Sequence, residues 1–325
     1  MKLVINAYLD NNLGDDLMIK LLAKRFPYIH FYLHTNSSTI KNSFQAIDNI
    51  IIKSTKNKKD DLQNADAYVT IGGSRFQLVS LKQKFWRIKR LRQLKRVKKR
   101  NLKIATLGSN FGPYSGKIGV KLTEWELRMN DLVTVRDSEA ENLLNSFKKV
   151  TNFHFADDIV YTLEAIYERQ NPKKSGLGIS AYRSIRNPIY NYPNYQFLAA
   201  LADEYIKRTD KSVTLFAFDS ENENDLAAAF HIFNLATEKK NIEIIPYLGD
   251  EKRFLEQFES CERMIAIRFH SAILADIFEI PFLPVVYSNK MNNLLHDRGY
   301  KGLSFELKDF NSDLAVDKLV DTIIT

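Results

Sequence analysis

With 325 residues, 45% hydrophobic and 26% charged, the chain is long enough for two ordinary domains, each with its own core. Its 21 Phe and 15 Tyr argue against disorder, and the single cysteine, Cys261, excludes an intramolecular disulfide and a multi-cysteine zinc site. The net charge of +8 has one local source: residues 82–100 hold 11 Lys or Arg and no acid, and removing those 11 charges leaves −3.

The elements follow in chain order. Residues 3–7 form an apolar run, interrupted by Asn6 and followed by Asp10, that is too short and too soon acidic for a signal peptide. No later stretch approaches the roughly 18 apolar residues of a membrane span, so a cytoplasmic protein is expected. Strands are predicted at 3–8, 29–33, 50–52, 67–71, 104–107 and 132–135, with amphipathic helices at 14–25, 77–99, 117–129 and 138–147 between or after them. The polar stretch 169–176 contains Pro172 and stops any helix. A second series then begins, with strands at 177–181, 213–218, 242–245, 264–267 and 282–286 and helices at 193–208, 223–238, 250–259, 271–279 and 312–323. Strand and helix in alternation predict parallel sheets with helices on both faces. The expected fold is α/β, with two Rossmann-like domains at 1–170 and 171–325 facing a cleft in the glycosyltransferase-B manner.

Ligands of open parallel sheets bind beyond the carboxyl ends of the strands, and the unusual residues of this chain collect there. The first strand leads into Asn12, Gly14 and Asp15; the fourth into Gly72, Gly73 and Ser74; the fifth into Gly108 and Asn110. Glycine at such turns lets backbone N–H groups approach an anion or a sugar, although a Gly-Gly after a strand is more often just a tight turn. Strand 132–135 ends in Arg136, followed by Ser138 and Glu141 at capping-box spacing, so a helix should begin at Ser138. Arg136 then either meets an anion or pairs with a neighbouring carboxylate. The densest cluster follows strand 264–267. There Arg268 and His270, at i and i+2, would face one side if the chain stayed extended, and Ser271 could cap the next helix. Lys290 follows strand 282–286. Two or three cations beside an imidazole suit a small, highly charged anion and proton transfer. The other histidines, His30, His34, His154, His231 and His296, read as structural.

Taken in order, Asn12-Leu-Gly-Asp15, Gly72-Gly73, Gly108 to Pro113, Val135-Arg136-Asp137, Asp157, Arg268-Phe-His270, Pro281 and Tyr287-Ser-Asn-Lys290 resemble the polysaccharide pyruvyl transferase family. The resemblance spans residues 11–299, and the Arg-x-His, Pro and Tyr-x-x-Lys portion is its specific part. It implies phosphoenolpyruvate as donor and a sugar of a cell-surface glycan, or of its lipid-linked precursor, as acceptor. The product is a pyruvate ketal bridging two hydroxyls, with phosphate released. The resemblance places Arg136, Arg268 and His270 at the donor site, with Lys290 in the recurring tyrosine-to-lysine element. The sequence departs from the family at Ser74, where a third glycine is expected, and at Asp158, where proline is usual.

The residue types suit that chemistry. Protonation of the enol at C3 leaves positive character at C2, which one hydroxyl attacks; loss of phosphate and attack by the second hydroxyl close the ketal. Arg268 and Arg136 are assigned to clamping the donor bidentately, His270 to acid/base catalysis, and Lys290 to the departing phosphate. Asp15 is the second catalytic candidate and orients the acceptor, beside the turn residues Asn12, Gly14, Gly72, Gly73, Ser74, Gly108 and Asn110. No metal and no cofactor are expected beyond phosphoenolpyruvate as co-substrate.

The basic segment reads as part of a long helix from about Gln77, whose apolar residues Leu81, Phe85, Ile88, Leu91, Leu94 and Val97 recur every three or four positions. One side should pack, and the other forms a cationic wall. That wall is read first as solvated surface, next as a peripheral contact with anionic membrane, and last as nucleic-acid binding, since no nucleic-acid motif accompanies it. The rival functions are a glycosyltransferase-B-type enzyme using a nucleotide sugar and, more distantly, a non-catalytic membrane- or nucleic-acid-binding protein.

Overall fold

The computed structural model describes residues 1–73, 75–185, 187–311 and 316–324. The chain divides into two compact units: Met1–Leu9 with Asp15–Ile166, and Asp10–Gly14 with Tyr167–Thr325. The short segment after the first strand therefore packs with the second unit, a departure from simple division along the chain.

The strands of the first unit are β1 (Lys2–Asn6), β2 (His30–His34), β3 (Ile50–Lys53), β4 (Ala67–Ile71), β5 (Phe76–Leu78), β6 (Lys103–Leu107), β7 (Phe111–Tyr114), β8 (Leu132–Val135) and β9 (Phe153–Phe155). Seven of them form one sheet in the order β3-β2-β1-β4-β6-β8-β9, and β5 pairs separately with β7. Every pairing in the seven-stranded sheet is parallel. The central strand β4 is buried at all five positions, as expected of a parallel strand covered on both faces. The helices of this unit are α1 (Leu13–Arg25), α2 (Ser38–Phe44), α3 (Lys58–Asp61), α4 (Leu81–Lys98), α5 (Gly116–Leu127) and α6 (Ser138–Asn145). Leu94 and Val97 of α4 pack with Val4, Tyr68 and Ile104 on one sheet face.

The second unit carries β10 (Leu177–Ala181), β11 (Val213–Ala217), β12 (Ile242–Pro246), β13 (Arg263–Ala266), β14 (Phe282–Val286) and β15 (Phe305–Glu306), ordered β12-β11-β10-β13-β14-β15. These pairings are also parallel. Its helices are α7 (Asn191–Thr209), α8 (Asp225–Leu235), α9 (Glu251–Glu259), α10 (Phe269–Ile277), α11 (Asn289–Asp297) and α12 (Val316–Ile324). Leu201, Ala202 and Ile206 of α7 join Ile179, Leu215 and Ile265 of the sheet in one core. Phe216 and Phe218 pack edge-on against Phe254 of α9.

In each sheet the strand order reverses once, between β1 and β4 and between β10 and β13. Loops leaving two such neighbours depart in opposite directions and leave a crevice, the usual ligand position in open α/β sheets.

Three local expectations need correction. Gln77 lies in β5, and α4 begins only at Leu81, because Ser80 and Gln83 form a reciprocal capping box there. Helix α6 does start at Ser138, but Asp137 is its cap, accepting from the backbone N–H of Ala140. Helix α10 starts at Phe269, so the chain does not stay extended through His270, and its N-cap is Arg268 without a side-chain cap bond; Ser271 instead donates to the Arg268 carbonyl. Of the expected helix 312–323, residues 312–315 lie outside the described residues.

Candidate functional site

In the second unit, Arg268 and His270 stand at the switch point, immediately after β13. Arg268 is 6% exposed and almost wholly engaged by carboxylates. Its Nε donates to Asp225 Oδ2 at 2.7 Å, Nη2 donates to Asp225 Oδ1, and Nη1 donates to Glu223. The bidentate edge expected to hold a ligand is thus occupied by Asp225. The guanidinium also lies over the Tyr182 ring at 4.7 Å, and Tyr182 stacks on Tyr287 at 4.3 Å.

Asp225 is fully buried, and burial is the main reason its carboxyl is pushed up to about 6, despite Arg268, with Asp219 and Glu223 adding repulsion. Burial resists the charge of Arg268, but Asp225 and Glu223 outweigh it and hold the guanidinium protonated. The Glu223 side chain, 34% exposed, is the accessible partner of the three. Sequence reasoning missed both acids. An acid opening a helix after a strand was the available signal for Asp225, but its pairing across the chain with Arg268 was not readable.

His270 is the second residue of α10, and its ring lies against the backbone of Gly14: a Cβ added to Gly14 would overlap the imidazole. That explains glycine at this position without any demand on backbone dihedrals. The segment carrying Gly14 is held by a hydrogen bond from Leu13 N to Phe218 O at 2.9 Å and by bonds from the Asn11 side chain to Ser220 and to Tyr247 O. Asn12 forms a bridge with Asp219, and its side-chain oxygen accepts from Gly14 N at 3.1 Å. Asn12 and Gly14 therefore belong with Arg268 and His270. Lys290 is the second residue of α11, following β14 one strand further along.

In the first unit, Asp15, Gly72 and Gly73 meet at the switch point. Gly72 and Gly73 both have positive φ, +70° and +65°, and a Cβ on Gly73 would meet the Tyr8 ring and lie 3.6 Å from the Asp15 carboxylate. Ser74 lies outside the described residues. Arg75, which the sequence reading passed over, follows directly and lies over the Tyr8 ring at 4.8 Å. The signal was its place after the Gly-Gly turn.

Arg136 and Asn110 sit at the ends of β8 and β6 and form a buried network. Arg136 Nη1 pairs with Asp158, Nε donates to Asn110 Oδ1 at 3.2 Å, and Asn110 Nδ2 donates to Asp137 Oδ2 at 2.6 Å. Asp137 in turn caps α6. The carboxylate alternative for Arg136 is the one the structure contains, and its partner is the residue standing in place of the family's usual proline. Gly108 donates its N–H to the Thr134 carbonyl and hydroxyl, which fastens the turn after β6.

The cationic segment is less uniform than its sequence. Arg87 and Arg90 turn inward to the fully buried Glu126 of α5. Burial opposes the charge on Glu126, yet the two guanidinium groups hold its carboxyl below the usual range. Conversely Leu81, Phe85 and Ile88, expected on the packed side, are 83%, 55% and 40% exposed, and Trp86 beside them is exposed too. The packing side is set by Arg87, Leu91, Leu94 and Val97.

Among the described residues, no group of three or more His, Cys, Asp or Glu is placed to hold a metal ion. Among them, too, no helix is long and apolar enough to cross a membrane.

The sequence matches the polysaccharide pyruvyl transferase family over residues 12–289. No curated protein matches it significantly. Similar folds include the UDP-GlcNAc 2-epimerase of Methanocaldococcus jannaschii, with a TM-score of 0.57 and 13% identity over 100% of this chain and 99% of that one. Anabaena HepE, crystallised with UDP and glucose, gives a TM-score of 0.59 and 8% identity over 99% and 89%. The ADP-heptose lipopolysaccharide heptosyltransferase II of E. coli gives 0.51 and 12% over 98% and 96%. At such identities the likeness concerns the two-domain α/β fold.

Proposed function

Because this chain belongs to the polysaccharide pyruvyl transferase family, we propose that it transfers pyruvate from phosphoenolpyruvate to a saccharide of a cell-surface glycan or its lipid-linked precursor, forming a ketal. The observation that carries the reading is the placement of Arg268 and His270 together at the switch point of the second sheet, within the matched region. In the proposed reaction His270 delivers a proton to C3 of the enol and accepts protons from the attacking hydroxyls. One hydroxyl oxygen bonds to C2, phosphate leaves with the electron pair of the C2–O bond, and the second hydroxyl closes the ketal. Lys290 and Arg136 are proposed to stabilise anionic oxygens of the donor, and Asp15 to orient the acceptor.

Arg268 meets the donor through exchange of partners. Asp225 keeps Nε and Nη2, while the donor carboxylate displaces the partly exposed Glu223 from Nη1. Replacing Glu223 with Gln removes a competing charge, so the KM for phosphoenolpyruvate is expected to fall about 3- to 10-fold with little change in kcat, given the worth of a partly solvated charged hydrogen bond. A KM that rises or stays constant would count against the exchange.

A screen of free and lipid-linked glycans with phosphoenolpyruvate, reading phosphate release and ketal formation, tests the function. Nucleotide release from a sugar nucleotide, with phosphoenolpyruvate inert, would replace it by glycosyl transfer.

We further propose that α4 rests on anionic membrane. Leu81, Phe85 and Trp86 stand exposed beside the exposed cations Lys82, Lys89, Arg92 and Arg96, a pairing suited to the headgroup region. The protein should sediment with phosphatidylglycerol vesicles and remain in solution with phosphatidylcholine vesicles. Phe85→Ser with Trp86→Ser should return most of it to the supernatant. Equal sedimentation of the double variant would remove the aromatic part of the proposal, and failure of the wild type to sediment would remove all of it.

A further inference from the structure

Among the described residues, Arg87, Arg90, Arg136 and Arg268 carry their charge into the interior, and each is matched by a buried carboxylate. Arg75 differs. Among the described residues it has no carboxylate within ion-pairing distance. Its Nη2 donates to Asn6 Oδ1 at 3.1 Å, its guanidinium lies over the Tyr8 ring, and its Nη1 is buried with no hydrogen-bond partner. Burial is the first cause lowering its pKa, and the neighbouring Arg90 lowers it further, against a smaller opposing pull from Tyr8, Tyr68 and Asp15. A buried guanidinium with no carboxylate in contact is costly, and a ligand oxygen on Nη1 would offset that cost.

Its position agrees with that. Arg75 follows β4, Asn6 and Tyr8 end or follow β1, and these two strands flank the reversal of order in the first sheet. The residue as a whole is only partly buried, so a ligand reaches Nη1 once the side chains over it shift. Gly72 and Gly73 are small enough for Met18, the Tyr8 ring and the Asp15 carboxylate to lie against the turn.

We propose that Arg75 is an anion-binding residue of the first unit, taking a phosphate or carboxylate oxygen of a substrate on Nη1. This deepens the pyruvyl transfer reading by adding an anionic subsite, and it rests on that reading only for the source of the anion, donor or acceptor.

The test begins with inorganic phosphate and diphosphate titrated into the full-length protein, followed by calorimetry and thermal shift, which need no turnover. Arg75→Gln should weaken binding about 10- to 100-fold, as for loss of a charged hydrogen bond. Without ligand its melting temperature should equal or exceed that of the wild type, because a costly buried charge is gone. Arg75→Lys, keeping charge without the planar fork, should bind with intermediate affinity. Unchanged affinity in Arg75→Gln, or a lower unliganded melting temperature with unchanged affinity, overturns the proposal. Steady-state kinetics then identify the source. A raised KM for phosphoenolpyruvate assigns the anion to the donor, and a raised KM confined to phosphate-bearing acceptors assigns it to the acceptor. Absence of any pyruvyl transfer would overturn the functional reading while leaving the phosphate titration interpretable.

Discussion

Replacing His270 with alanine is expected to lower turnover by about 100- to 10,000-fold, the usual contribution of a positioned acid/base group. The loss should appear mainly in kcat, because donor anchoring is assigned to Arg268 and the other cations. His270 lies in the first turn of α10 and is partly exposed, whereas the residues that fasten this helix, Phe269, Ala272, Ile273 and Ala275, are buried in the second unit. The substitution should therefore leave the melting temperature nearly unchanged. The imidazole also packs on Gly14, so Gly14→Ala gives a second view of the same group by displacing the ring without removing it. Near-normal turnover in a folded His270→Ala protein would end the acid/base assignment.

Arg136→Met is expected to destabilise the protein by about 3–5 kcal/mol, because it strands the buried Asp158 carboxylate and leaves Asn110 without its guanidinium partner. Urea unfolding reads this as a lower midpoint. Arg136→Met with Asp158→Asn should recover much of the loss, since removing both charges of a buried pair costs far less than removing one. The double variant also separates two roles. If its stability returns while the KM for phosphoenolpyruvate remains raised, Arg136 contributes to donor binding as well as to the fold. If stability and kinetics return together, its role is confined to the network of Asp158, Asn110 and Asp137. A stable Arg136→Met protein would contradict the ion pair itself.

The elements were legible to different degrees for identifiable reasons. Strands such as β4, β10 and β14 lie where mainly apolar runs place them, since parallel strands are buried on both faces. The start of α4 was not legible from periodicity, because only Val79 and Ser80 separate it from β5; the capping box at Ser80 was the better guide. The exposed Leu81, Phe85 and Ile88 depart from the same reading, since helical spacing does not say whether an apolar side chain faces a partner, and here two arginines and Glu126 hold the inner face. At the candidate site, the cations were visible and their counter-charges were not. Asp225, Glu223 and Asp158 reach Arg268 and Arg136 from 43, 45 and 22 positions away.

Local hydrophobic runs and the polar turns after them mark where the longer strands stop, whereas the short strands β5, β7, β9 and β15 leave no such run. The sequence by itself thereby placed Arg268 and His270 after β13, and Gly72 and Gly73 after β4. Which strand ends become neighbours is a property of the whole fold. The reversal of order between β1 and β4 and between β10 and β13 depends on packing of helices across whole sheets. That reversal sets Arg75 beside Asn6 and Tyr8, and the packing of residues 10–14 with the second unit sets Gly14 against His270. Long-range pairing of charges has the same origin, since a carboxylate finds its guanidinium through the fold and not through spacing along the chain.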